Sequence, residues 1–305
     1  MTVPRARLDV ELVRRGLARS REQADELIAA GRVAVSGQRA SKPATQVARE
    51  APITVKDTGD RSYVSRGGRK LAGALAVFAG SPEGSPPGSG GQGGDGGDGK
   101  SPPCGGSPGG GAPGSKRSKH RLVVAGRQCL DAGASTGGFT DVLLRAGAAH
   151  VVAADVGYGQ LAWSLRTDSR VTVMDRVNVR TIGPLTPAPD LVVADLSFIS
   201  LTLVLPALVA CATPDADFVL LVKPQFEVGK GRVGAGGVVR DATDRSAAVE
   251  KVTGAAAKLG LGVQGITASP LPGPAGNVEY FVWLRRGAPP LDAEQLQRAI
   301  TKGPG

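Results

Sequence analysis

The chain has 305 residues, 41% of them hydrophobic, which is enough for one large α/β domain and a smaller one. A net charge of +10 and a pI near 9.9 favour a polyanionic partner. Two histidines and three cysteines without CxxC spacing (Cys104, Cys129, Cys211) argue against a metal centre, a disulfide framework or a Ser/His/Asp triad. No apolar run reaches the ~18 residues that cross a bilayer, and the first residues lack the apolar core of a signal peptide. A monomeric cytoplasmic protein with no metal and no membrane partner is expected.

Residues 5–17 put Leu8, Leu12 and Val13 on one helical face and stop at Gly16-Leu17, which predicts a first short helix. Ser20 to Gln23 read as a capping box, Ala24, Leu27 and Ile28 supply the buried stripe of a second helix over 21–30, and Gly31 supplies its left-handed stop. Val33 and Val35 alternate with polar neighbours, Ser36-Gly37 turns, and Ile53-Thr54-Val55 returns. These elements make a small α+β module over residues 1–60.

The string RLDVELVRRGLARSREQADELIAAGRVAVSG, residues 7–37, resembles the αL-motif RNA-binding domain named after the S-four protein of the small ribosomal subunit. The resemblance implies contact with structured RNA by shape and phosphate, with Arg7, Arg15, Arg21 and Arg32 as the contacts, since guanidinium forks suit phosphate oxygens. A basic linker over 61–66 follows, within the acid-free run RSYVSRGGRK, and adds Arg61 and Arg66 as backbone-contacting residues.

From Lys70 to Ala79 the apolar positions Leu71, Leu75 and Phe78 form the stripe of a packed helix. Residues 80–118 are nearly all Gly, Pro and Ser, with a basic run KRSKHR at their far end, and read as a disordered insertion. Beyond it, apolar runs at 128–131, 151–156, 171–175, 191–196 and 218–223 alternate with helical or loop segments, which is βαβ logic and implies a parallel sheet. Two late strand candidates, 263–268 and 278–284, fit an antiparallel strand inserted at the sheet edge. A Rossmann-like, seven-stranded class I methyltransferase sheet has this arrangement, whereas a plain nucleotide-binding sheet lacks it. A C-terminal helix and tail close the chain over 291–305.

Within QCLDAGASTGGFTDVL, residues 128–143, a strand breaks into a glycine turn that opens a helix. Gly133, Gly137 and Gly138 admit close backbone approach to a ligand. Ser135 stands where a pyrophosphate-binding G-x-G-x-x-G has its middle glycine, and Asp131 puts a carboxylate where pyrophosphate would be repelled. An amine-bearing ligand, S-adenosyl-L-methionine, suits that carboxylate better. Asp155 is placed to accept from ribose hydroxyls, and Asp175 ends the third strand where adenine would lie.

DAGASTGGFT, VVAADVGYGQL, LVVADLSFISL, LLVKPQFEVGK and GNVEYF together resemble the TlyA family of ribosomal RNA 2′-O-methyltransferases, which join the αL-type module to an FtsJ-like methyltransferase domain, here 67–290. The resemblance implies methylation of cytidine ribose in ribosomal RNA of the small and large subunits, and a catalytic set Lys70, Asp195, Lys223 and Glu279. Some members were first described as hemolysins. In the family an interdomain tetrapeptide, usually with Trp, couples RNA and cofactor binding; here it reads Arg61-Ser62-Tyr63-Val64, with a smaller ring.

These four positions make chemical sense. Asp195 and Lys223 end the fourth and fifth strands, on the carboxyl edge where open α/β sheets bind ligands. A lysine takes a proton from a ribose hydroxyl only if its pKa falls from ~10.4 toward neutrality, and a second lysine in the pocket favours that fall. Lys223 is therefore the expected base, Lys70 and Asp195 its tuning partners, and Glu279 an acceptor that holds ribose or a lysine. Two other readings stand beside this one: a membrane-active cytolysin, which vesicle leakage would reveal, and a noncatalytic assembly factor, which would bind cofactor without methyl transfer.

Overall fold

The computed structural model describes residues 5–18, 21–29, 31–55, 63–80 and 120–303. It divides into two compact units, Met1–Ser65 and Arg66–Gly305.

In the first unit β1 (Arg5–Arg7) runs directly into α1 (Leu8–Arg14), followed by α2 (Arg21–Ala29), β2 (Val33–Val35), β3 (Gln38–Arg39), β4 (Gln46–Ala48) and β5 (Ile53–Val55). Residues 5–7, expected to be helical, instead pair antiparallel with β4, and α1 starts only at Leu8. Three residues are too few for period-2 alternation to stand out, and the partner strand is some forty residues away. The β3-β2-β5 sheet and both helices enclose Leu8, Leu12, Ala24, Ile28, Val33 and Val47. The expected capping box begins at Ser20, outside the described residues, as does Arg61.

The second unit opens with α3 (Arg66–Phe78), which starts four residues earlier than its apolar stripe suggests, so Lys70 lies inside the helix rather than before it. There follow β6 (Gln128–Ala132), α4 (Gly138–Arg145), β7 (His150–Asp155), α5 (Trp163–Arg166), β8 (Val171–Asp175) and β9 (Leu191–Ala194). The chain continues through α6 (Leu205–Cys211), β10 (Asp217–Val222), α7 (Pro224–Glu227), α8 (Ala242–Lys258), β11 (Leu261–Ala268), β12 (Tyr280–Arg286) and α9 (Ala293–Thr301).

One seven-stranded sheet runs β11-β12-β10-β9-β6-β7-β8. β8, β7, β6, β9 and β10 are parallel, and β12 is antiparallel to both neighbours. The antiparallel strand sits inside the sheet between β10 and β11, so the edge expected for the late pair belongs to β11 alone. Strand order reverses between β6 and β9, and a crevice opens at the carboxyl ends there.

Strand parity assigns side chains to faces. Leu130, Ala132, Val192, Ala194, Leu220, Val222, Tyr280 and Val282 pack with α6, α8 and α9 in one core. Alternate residues point to the face covered by α3 and α4, where Phe78 meets Trp283 at 5.5 Å and Phe139 meets Phe281 at 5.9 Å. Cys129 and Cys211 are buried, and desolvation pushes their thiols up to about 12 and about 11, so neither is a reactive thiolate.

The insertion expected over 80–118 falls almost wholly outside the described residues, but both flanks of that stretch are defined. Leu122 N–H donates to Phe78 O at 3.1 Å and Arg121 Nε to Ala79 O at 2.5 Å. These two bonds fasten the end of α3 to residues 121–122, in addition to its packing on the sheet.

Candidate active site

The parity that builds the core also gathers the polar residues. Asp131, Asp195, Lys223 and Glu279 all alternate with residues of the α6/α8/α9 core, so all four point to the α3/α4 face, where α3 presents Lys70. Val222 is registered with Tyr280 in the β10–β12 pair. One residue further along each strand, Lys223 and Glu279 continue that register past the last ladder pair. Residues far apart in sequence are thereby brought to the carboxyl edge of the central strands.

Lys70 Nζ lies 2.6 Å from Glu279 Oε2, with both side chains buried. Glu279 Oε1 is buried with no hydrogen-bond partner and faces Gly273, where an added Cβ would come within 2.5 Å of it. Lys223 Nζ lies 2.6 Å from Asp195 Oδ1, an ion pair off the hydrogen-bond direction, while its directed bond goes to Ser197 Oγ at 2.8 Å. The result is two lysine–carboxylate pairs, with one carboxylate oxygen held in reserve.

The glycine turn has a different physical basis from the one expected. Gly133 (φ +87°) carries no Cβ because Asp195 O would lie 2.7 Å and Leu196 Cδ2 2.9 Å from it. Gly137 (φ +96°) is closed over by Leu161 and Leu165. Neighbouring chain by itself thus requires glycine at 133 and 137, and Gly138 opens α4. Ser135 is exposed at φ +47° and donates its N–H to Asp155 Oδ2 at 2.9 Å.

The three acids differ. Asp131 is fully buried, accepts from Thr140 Oγ1 at 2.7 Å through Oδ2, and has no partner for Oδ1. Desolvation, with the nearby Asp195 charge as a lesser cause, pushes its carboxyl up to about 7. A buried acid with a spare oxygen fits a cationic or amine-bearing group. Asp155 ends β7 and braces the turn through Ser135 N–H and Gly157 N–H, the latter at 2.7 Å. Asp175 ends β8 and is ion-paired at 2.5 Å with Arg166, which holds its carboxyl below the usual range.

In the first unit the arginines surround two buried carboxylates. Asp9 pairs with Arg7 at 3.0 Å and with Arg21 at 2.8 Å, and Glu11 pairs with Arg14 at 2.6 Å and Arg15 at 2.7 Å. Arg15 also donates to Ala51 O and Arg49 O at 2.7 and 2.5 Å, which leaves its side chain 20% exposed, against 44% for Arg7 and 61% for Arg21. Arg32 follows the Gly31 stop, and Arg66 opens α3, donating to Pro272 O at 3.4 Å.

Several site residues escaped the sequence reading. Phe198, 91% exposed and left-handed at φ +63°, meets Phe226 in a tilted contact at 5.2 Å beside an open pocket of about 540 Å³ that Ile199, Gln225 and Gly234 also line. Ser197 binds Lys223, and buried Glu227 binds Ser200. The one available signal was the density of polar and aromatic residues directly after Asp195 and Lys223, in DLSFIS and KPQFE.

A sheet with this order, an acid-tipped glycine turn at its switch point and paired lysines beside it define a class I methyltransferase. Residues 116–286 match the FtsJ-like methyltransferase family and residues 6–53 the S4 domain. The chain is 53% identical to "16S/23S rRNA (cytidine-2′-O)-methyltransferase TlyA" of Mycobacterium tuberculosis, over 98% of this chain and 99% of that one, and belongs to the TlyA family of FtsJ-like, S-adenosylmethionine-dependent methyltransferases. It is 32% identical to "Hemolysin A" of Brachyspira hyodysenteriae, over 90% of this chain and 98% of that one. A solved Streptococcus thermophilus structure named "Putative hemolysin" superposes with a TM-score of 0.67 at 35% identity, over 99% of this chain and 96% of that one.

Proposed function

We propose that the chain methylates the 2′-oxygen of cytidine ribose in ribosomal RNA of one or both subunits, with Lys223 as the base. The observation that supports this reading is that Asp195 at 2.6 Å and Ser197 at 2.8 Å orient Lys223 Nζ, whose neutral amine takes the hydroxyl proton and whose resulting charge Asp195 balances. S-adenosylmethionine supplies the methyl group when bound. Asp131 Oδ1, Ser135 and the Gly133–Gly138 turn hold the donor's amino acid end, and Asp155 and Asp175 line its ribose and adenine side.

Lys70 serves as the second cation of the pocket. Glu279, anchored by Lys70 through Oε2, uses its spare Oε1 to accept a hydrogen bond from the substrate ribose. Arg7 and Arg21 lead the phosphate-contacting set, of which Arg32, Arg61 and Arg66 are further members, while Arg15 braces the module. In the test, ribosomal subunits are incubated with the protein and labelled cofactor, and 2′-O-methyl marks are mapped by mass. Lys223→Ala is expected to leave cofactor binding intact and abolish the marks, and an unaltered rate would sink the assignment.

The hemolysin names of two relatives motivate a second assay, dye leakage from vesicles. Among the described residues no helix is long and apolar enough to cross a membrane.

A further inference from the structure

We propose that Glu227 is a positioning residue that sets the segment carrying Asp195, Ser197 and Phe198 against Lys223. Glu227 is 3% exposed and is the last residue of the single-turn helix α7. Its Oε1 accepts the Leu201 N–H at 2.7 Å and its Oε2 accepts from Ser200 Oγ at 2.5 Å. Lys251 of α8 lies 3.7 Å from Oε2 and donates to the Glu227 carbonyl at 2.6 Å. A buried carboxylate is costly unless it is hydrogen-bonded and paired; both hydrogen-bond donors to this one lie on the segment that follows β9, and its cation is Lys251 of α8.

At the other end of α7 the N-cap is Lys223, bound to Asp195 and Ser197. Residues 195–201 are therefore gripped twice by one helical turn, at their start by Lys223 and at their end by Glu227. Between the grips stands Phe198, a non-glycine residue in the left-handed region, a conformation that persists only where the surroundings impose it. Without the Glu227 carboxylate the Leu201 amide loses its acceptor, Ser200 Oγ is left with Thr202 Oγ1 at 2.7 Å, and the segment relaxes. Asp195 and Ser197 then drift from Lys223 Nζ, whereas the glycine turn with Asp131 is untouched.

The inference rests on Lys223 being the base, and its test separates the two. Methyl transfer to ribosomal subunits and cofactor affinity are measured for the full chain and for Glu227→Ala, Glu227→Gln, Ser200→Ala and Lys223→Ala. Misplacement by an ångström can cost about 100-fold, so Glu227→Ala is expected to lose ~10- to 100-fold in kcat with KM and cofactor affinity nearly unchanged. Glu227→Gln, whose amide oxygen still accepts from Leu201 and whose NH2 can donate to Ser200 Oγ, is expected to recover most of that loss. If Glu227→Ala does not fold, Ser200→Ala, which removes one grip bond together with the Ser200 contacts to Thr202, is expected to lose ~3- to 10-fold in kcat. Wild-type turnover in folded Glu227→Ala or in Ser200→Ala, or a matching loss of cofactor affinity, overturns the proposal. Rate loss in Glu227→Ala beside full activity in Lys223→Ala would remove the base assignment and leave the brace standing.

Discussion

Lys70 and Glu279 form a 2.6 Å ion pair across 209 residues of chain, and both side chains are buried. The pair fastens α3 to the start of β12, beside the Phe78–Trp283 contact and the close approach of Gly73 to Pro270. A buried pair of this kind adds little net stability over a well-packed apolar pair, yet removing one partner strands a charge.

Lys70→Ala and Glu279→Ala are therefore each expected to destabilise the methyltransferase unit by about 3–5 kcal/mol, a fall in Tm of about 6–20 °C. The double variant Lys70→Met/Glu279→Leu should regain most of that stability while remaining inactive. Calorimetry beside a methyl-transfer assay checks both halves, and a double variant as unstable as the singles would contradict the account.

Asp131 gives a prediction in pH. Its carboxyl is raised from an ordinary 3.8 to about 7, so the folded chain binds a proton more tightly than the unfolded chain between those values. This contribution to stability is greatest below pH 3.8, declines as pH rises, and is gone above about 7, a swing of at most about 4 kcal/mol. At pH 8, Asp131→Asn should raise the Tm of the ligand-free chain and weaken S-adenosylmethionine binding by ~10-fold or more. Near neutral pH, binding to the wild type should release protons, which titration calorimetry in buffers of different ionisation enthalpy detects.

Gly133→Ala should slow chemistry as well as weaken cofactor binding. Its Cβ meets Asp195 O at 2.7 Å, so the backbone that carries Asp195 must move, and a rate loss of ~10- to 100-fold is expected in single-turnover measurements. Gly126→Ala is the control: φ there is +78° but nothing lies within 4 Å, so it should lower stability and leave the rate alone.

Among the arginines of the first unit, Arg7→Ala and Arg21→Ala should weaken ribosomal RNA binding on any sequence and each lower the salt slope by about 1. Arg15→Ala should leave the slope unchanged and loosen the module, because its guanidinium holds Glu11, Ala51 O and Arg49 O. Hydrogen exchange of the β1–β4 amides in the intact chain would register the loosening. Glu11, held at about 2 by Arg14 and Arg15, contributes stability that is whole above about 4.5 and is lost progressively as pH falls toward 2.

Much of the larger unit was legible because each parallel strand is an apolar run of ordinary length, and because Asp131, Asp155 and Asp175 recur at successive strand ends. β1 was illegible, since its three residues gain meaning only from β4. The glycines of the turn were visible but their cause was not: the atoms that exclude a Cβ at Gly133 belong to Asp195, sixty-two residues on. Glu227 lay hidden for the same reason, as an acid in a short polar loop that burial and Ser200 turn into a brace. Spacing along a chain reports on faces of one element, and contacts between strand ends leave no such trace.

The position of β12 has a consequence for how the protein is made. Among the described residues it is the last strand in chain order, yet it lies within the sheet, hydrogen-bonded on one side to β10 and on the other to β11. At about 5–20 residues per second, roughly 10–40 s separate the synthesis of Lys70 from that of Glu279. For that interval the nascent chain holds a lysine on an apolar helix with no counter-charge and a sheet with an open seam. Glu279 and the strand it precedes thus complete both the buried ion pair and the hydrogen bonding of the sheet in one late step.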